Sequence, residues 1–75
     1  MWKFEDDEGR RWEIVVGRES WGGFFALFVP AGDGGEIRQT AIDADSQTEA
    51  SRRIEELGRT GWLRLLKESR PKELG

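Results

Sequence analysis

The stretch FFALFV, residues 24 to 29, constrains this chain more than any other. Two glycines precede it and Pro30 follows, so its length and composition read as a strand that cannot run on as an interior ladder. Side chains alternate across a strand, which puts Phe24, Ala26 and Phe28 on one side and Phe25, Leu27 and Val29 on the other. Both sides are apolar. A strand of that kind is covered on both faces or leaves one face for a partner.

The rest of the chain is small for the first option. Seventy-five residues make one domain with a thin core. There is no Cys and no His, which removes disulfides and both thiolate and imidazole metal sites. Stability must then come from dense apolar packing or from association. Four Trp and four Phe supply the packing material, although charged residues make up 36% of the chain.

Around the central strand the pattern is a meander. In MWKFE, Trp2 and Phe4 alternate with Lys3 and Glu5. DDEG makes a turn, and RRWEIVV alternates again with Trp12, Ile14 and Val16 on one side. AGDGG is a turn-forming loop, and EIRQTAI, from Glu36 to Ile42, makes a fourth strand. Strands are expected over residues 2–5, 10–17, 23–30 and 36–43, all joined by the short connections that antiparallel neighbours use.

A helix follows. Ser46 with Glu49 three residues later forms a capping box. Ala50, Ile54 and Leu57 continue on one stripe, and Gly58 supplies a terminator. A second, shorter helix is expected in TGWLRLLKES, with Thr60 as its cap and Trp62, Leu63 and Leu66 facing inward. Pro71 marks the end of the domain, leaving residues 71–75 as a loose tail. The expected fold is therefore α+β: a four-stranded antiparallel β-meander followed by one or two C-terminal helices packed on one sheet face, in one domain over residues 1–70.

Several motifs imitate chemistry without meeting its requirements. VVGRESWGG resembles a phosphate loop, but Gly23 and Phe24 stand where a Walker motif needs Lys and Ser or Thr, and a strand follows instead of a helix. Gly22 and Gly23 read as a turn or bulge. DADSQTE begins like a calcium loop, yet its sixth and twelfth places hold Thr48 and Ile54. Glu5 to Glu8 form a hydrated acidic turn rather than an ion site. Without His or Cys the usual nucleophile–base pairs cannot be assembled, and no carboxylate sits inside an apolar run. Arg18, Glu19 and Ser20 make an ordinary polar loop. The expectation is a protein that is not an enzyme, with no catalytic residues, no cofactor and no metal.

The remaining signal is the second side of the central strand. If the helices cover Trp2, Phe4, Trp12, Ile14 and Val16, then Phe25, Leu27 and Val29 need another cover, with Val15 beside them, Trp21 in the loop leading in and Arg18 close by. Val15, Arg18, Trp21, Phe25, Leu27 and Val29 are thus the expected interaction surface. The partner is a second copy, giving a homodimer, or another protein. The alternative is a single-stranded nucleic-acid-binding domain that stacks bases on exposed aromatics. Charge disfavours it: residues 1–45 carry −5 and residues 46–75 carry +2. The N-terminus lacks the apolar run of a signal peptide and FFALFV is too short to span a bilayer, so the expected location is the cytoplasm.

Overall fold

A computed structural model describes residues 1–20, 22–32 and 35–72. Four strands, β1 (Trp2–Glu5), β2 (Arg11–Arg18), β3 (Phe24–Pro30) and β4 (Arg38–Ile42), lead into helix α1 (Gln47–Glu68), and a short β5 (Arg70–Pro71) closes the described chain. The sheet has five strands in the order β1-β2-β3-β4-β5, every neighbour antiparallel. The α+β meander is as expected from sequence, with one strand more. Arg70 and Pro71 pair with Gln39 and Arg38, so part of the expected tail belongs to the sheet. A proline is tolerated there because an edge strand has one side with no ladder bond to make.

Register sorts the side chains into two faces. Trp2, Ile14, Phe28 and Arg38 lie in one cross-strand row, and Phe4, Trp12 and Pro30 in the next. Phe24, Ala26 and Phe28 therefore point to the same side as Trp12 and Ile14, and all five are buried. Helix α1 packs on this side. Ile54 joins Phe4, Trp12, Ile14, Ala26 and Phe28 in one core, with Trp62, Leu63, Leu65 and Leu66 packed around it. The Phe4 ring meets Phe28 edge-on at 6.1 Å and Trp62 at 5.6 Å. Each such large side chain taken out of water contributes about 1.5–3 kcal/mol.

The helix is kinked at Gly58, whose φ of 64° and ψ of −176° are not helical. The expected terminator is thus real, but the chain resumes its helix at once and both halves stay on the same side of the sheet. The Trp62 indole donates to the Ile54 carbonyl across the kink at 2.8 Å. Leu57 departs from the expected stripe: Ala50 and Ile54 are fully buried, whereas Leu57 is 44% exposed. It lies one residue before the kink and packs over Gly61 instead of the sheet. Ser46 caps the helix as expected, accepting from the Glu49 N–H at 3.1 Å. The return bond of the box goes to the Asp45 N–H at 3.3 Å rather than to Ser46.

Two side-chain devices hold the ends of the sheet. Asp6 organises the β1–β2 turn: its Oδ1 accepts from the N–H groups of Glu8 and Arg10, and its Oδ2 accepts from the Trp12 indole at 2.9 Å. At the other edge, buried Ser69 donates to the Leu66 carbonyl at 2.5 Å and accepts from Arg38 Nε at 2.9 Å. Arg38 also donates to the Ser69 carbonyl at 2.6 Å. That clamp sets the direction in which the chain leaves the helix and enters β5.

Candidate interaction face

The side of the sheet away from the helix is uncovered by any described residue. The molecule measures 33 × 32 × 19 Å. The short dimension accommodates one sheet and one helix layer, the latter ~10 Å across, and no third layer. Both halves of α1 pack on the first face and β5 extends the sheet sideways, so no described element crosses the second face.

Four cross-strand rows make up this open face, the outermost being the Glu5–Arg11 pair. The middle row is Val15, Leu27, Gln39 and Arg70; above it lie Gly17, Phe25 and Ala41; below it lie Glu13 and Val29, with Lys3 opposite Glu13. Leu27 occupies the middle row of the central strand and so marks the centre. Val15, Phe25, Leu27 and Val29 are half-buried, and among the described residues no element of the fold lies over them. Gly17 makes room for Phe25: a Cβ on Gly17 would lie 2.3 Å from the ring's Cε2. The ring therefore lies across the glycine, an aromatic covering the gap that a missing side chain leaves in a strand.

The expected surface residues divide accordingly. The structure brings Val15, Phe25, Leu27 and Val29 together on this face. Arg18 lies opposite Phe24 and places its guanidinium 5.9 Å from that ring's centroid, on the helix side of the sheet. It borders the open face only at a corner, in a shallow depression shared with Glu19, Phe25, Gln39, Arg70 and Lys72. Trp21 lies outside the described residues. Gln39, Ala41, Arg70 and Lys72 were not anticipated, because the tail was not expected to pair. The remaining signal for Gln39 and Ala41 was the alternation of EIRQTAI, whose outward phase depends on the partner strand.

Charge on the face differs from charge along the chain. Lys3, Glu5, Arg11, Glu13 and Arg70 belong to this side by register, and Lys72 continues the line of β5 through its N–H bond to the Ile37 carbonyl. Lys3 and Glu13 pair across β1 and β2 at 3.8 Å. With Glu19 and Glu68 beside Arg70 at the margin, cations and carboxylates are close to balance here, although the chain as a whole carries −3. Of the other acidic residues of the first half, Asp6, Asp7 and Glu8 lie in the β1–β2 turn, Asp43 and Asp45 in the approach to the helix, and Glu19 in the depression at the corner of the face.

Both sheet edges are blunted. Arg59 donates through Nε and one terminal nitrogen to the Glu5 carbonyl, at 3.1 and 3.0 Å, covering the end of β1. At the opposite edge β5 is two residues long and ends in Pro71, which has no N–H to offer.

Asp6 titrates away from its ordinary pKa. Desolvation pushes its carboxyl up, but the Trp12 indole, the Arg10 and Glu8 N–H groups and the Arg10 charge outweigh it and hold the group below its ordinary 3.8. Those contacts are turn contacts, which makes the shift a feature of folding rather than of a reaction site. No group of three or more carboxylates gathers into a metal-sized cluster among the described residues. No helix among them is long and apolar enough to cross a membrane. Compared with known protein families, curated proteins and solved structures, the chain matches none.

Proposed function

We propose that the protein is a non-enzymatic interaction module that self-associates, sheet against sheet, through the face centred on Leu27. The observation that carries this reading is the absence of any covering layer over Val15, Phe25, Leu27 and Val29 among the described residues. Size is consistent with it. With strands of 4, 8, 7, 5 and 2 residues, at ~3.3 Å per residue and ~4.8 Å between strands, the face presents roughly 400 Å² per copy, or about 800 Å² for a pair, the size of a weak contact. The pair is therefore concentration-dependent rather than permanent. An apolar centre of Val15, Leu27, Phe25 and Val29 with a charged rim of Lys3, Glu13 and Arg70 also has the usual anatomy of a contact surface.

One observation favours a second reading, single-stranded nucleic-acid binding. The open face carries Lys3, Arg11, Arg70 and Lys72 against Glu5 and Glu13, with Glu19 and Glu68 at its margin, so it is less acidic than the chain as a whole. Against it stands the aromatic inventory. Phe25 is the one aromatic of this face among the described residues, and stacking platforms need several in succession.

Sedimentation across a concentration series tests the first reading. Wild type is expected to pass from monomer to dimer in the micromolar range, and Leu27→Asp to stay monomeric while keeping its circular-dichroism spectrum. A wild-type monomer at high micromolar concentration sinks the proposal. Fluorescence anisotropy of a labelled mixed-sequence oligonucleotide separates the second reading. Tryptophan quenching would serve poorly, since Trp2, Trp12 and Trp62 all lie on the helix side. Tight binding that weakens steeply with salt would favour nucleic acid.

A further inference from the structure

We infer that Gly17 is a positioning residue for the open face: by carrying no side chain it lets the Phe25 ring lie down across β2, which keeps the face level enough for a second copy to close on Leu27. This rests on the reading that the open face takes a second copy of the chain. Nothing in the backbone calls for glycine at this place. Gly17 sits inside β2, directly opposite Phe25, and its φ is not positive. A glycine inside a strand weakens it, because it has no side chain to pack and more freedom to lose. What Gly17 provides is space. A Cβ there would press on Cε2 of the Phe25 ring and lie 2.8 and 2.9 Å from its Cδ2 and Cζ. An alanine at this position and a ring laid across the strand cannot coexist.

Phe25 is the one bulky side chain of its row, with Gly17 on one side and Ala41 on the other. Lying over Gly17, the ring continues the apolar surface that Val15 and Leu27 form in the next row. Raised off the glycine, it would stand above them. Stacked sheets sit ~10 Å apart, with the side chains of both inner faces filling the gap. A symmetric pair presents the same patch twice, so a ring standing one row from the centre would hold the two sheets apart from both sides. The single copy is affected far less. Phe25 is only half-buried and faces away from the helix, so a displaced ring turns toward water and leaves the core as it was. The added methyl is therefore felt in association and not in folding.

Sedimentation across a concentration series tests this on wild type, Gly17→Ala, Phe25→Leu and the double variant. Leucine at position 25 keeps an apolar side chain but has no ring to lay over β2. The dissociation constant of Gly17→Ala is expected to be at least about tenfold above that of wild type, with the circular-dichroism spectrum retained. In the Phe25→Leu background the same change should alter it by less than about twofold, because there is no ring to raise. A Gly17→Ala that pairs as wild type does, or an equal loss in both backgrounds, overturns the role of Gly17 and leaves the dimer standing. So does a Gly17→Ala that loses its spectrum, since the methyl would then act on the fold. A wild type that sediments as a monomer overturns both the role and the pairing on which it rests. One measurement needs no change at position 17. The Gly17 α-protons lie beneath the ring and should resonate upfield in wild type but not in Phe25→Leu, and unshifted protons in wild type would overturn the inference.

Discussion

Single residues here act by completing the backbone, and Asp6 shows how far that goes. One carboxylate closes the β1–β2 turn through two N–H groups and anchors the Trp12 indole at the rim of the core. A carboxylate whose folded pKa lies below its unfolded value of about 3.9 stabilises the fold fully above that value and loses the contribution as pH falls through the folded one. Asp6→Asn keeps one acceptor oxygen but removes the charge, so its stability should be lower than wild type at pH 7. The gap should begin to narrow as pH falls below the unfolded value and go on narrowing as it falls through the lowered folded pKa, where wild-type Asp6 itself becomes neutral. Chemical denaturation of both proteins from pH 7 down to pH 3 checks this. A gap that stayed constant with pH would assign the effect to lost shape rather than lost charge. The turn was legible from DDEG, but which Asp would hold it was not, since the choice depends on the indole arriving from the next strand.

Among the elements, the helix carries the clearest test. Gly58 sits inside a helical span yet has φ 64° and ψ −176°, a region that residues with a Cβ enter only under strain. Space is not the obstacle, as nothing lies within 4 Å of a Cβ placed there. Replacing glycine by alanine inside an ordinary helix stabilises by roughly 0.5–1 kcal/mol. Gly58→Ala should instead destabilise by about 1–3 kcal/mol, because the kink lets both halves of α1 keep Ile54 and Trp62 on the core. A denaturation midpoint that rises with the substitution would mean that the helix prefers to be straight. Strands β1 and β2 were readable from their alternation, and β3 from an unbroken apolar run bounded by Gly22–Gly23 and Pro30. Two features were not. Arg70–Pro71 looked like a helix terminator, because the preference of proline for helix ends says nothing about an adjacent sheet edge. Leu57 looked like a core residue, because periodicity continues through Gly58 on paper while the backbone changes direction there. Arg18 was misplaced for a plainer reason: it was taken as a loop residue, whereas β2 runs one residue further and alternation turns its side chain to Phe24.

Among the described residues the molecule is a two-layer plate with one dry seam and one open side, and on the proposed pairing its stability should depend on its own concentration. Burial of Phe28, Ile14 and Ile54 between sheet and helix is complete in a single copy. Burial of Phe25, Leu27 and Val29 is not, so each second copy that docks adds apolar contact which only the folded state can make. Mass action then gives the size of the effect. In the dimeric regime a hundredfold rise in concentration stabilises each chain by about 1.4 kcal/mol, and a domain of this length shifts its melting midpoint by roughly 4–8 °C per kcal/mol. The wild-type midpoint should therefore climb by roughly 5–10 °C between low micromolar and high micromolar protein, measured by circular dichroism in cells of different path length. Leu27→Asp should melt at one temperature throughout, because a carboxylate at the centre of the face cannot be buried against its own copy without a partner charge. Gly58→Ala supplies the contrast, since it weakens the seam and leaves the face untouched: its midpoint should fall at every concentration while keeping the wild-type slope. A wild-type midpoint independent of concentration would mean that the open side contributes nothing to the fold and that this plate is stable as a single copy.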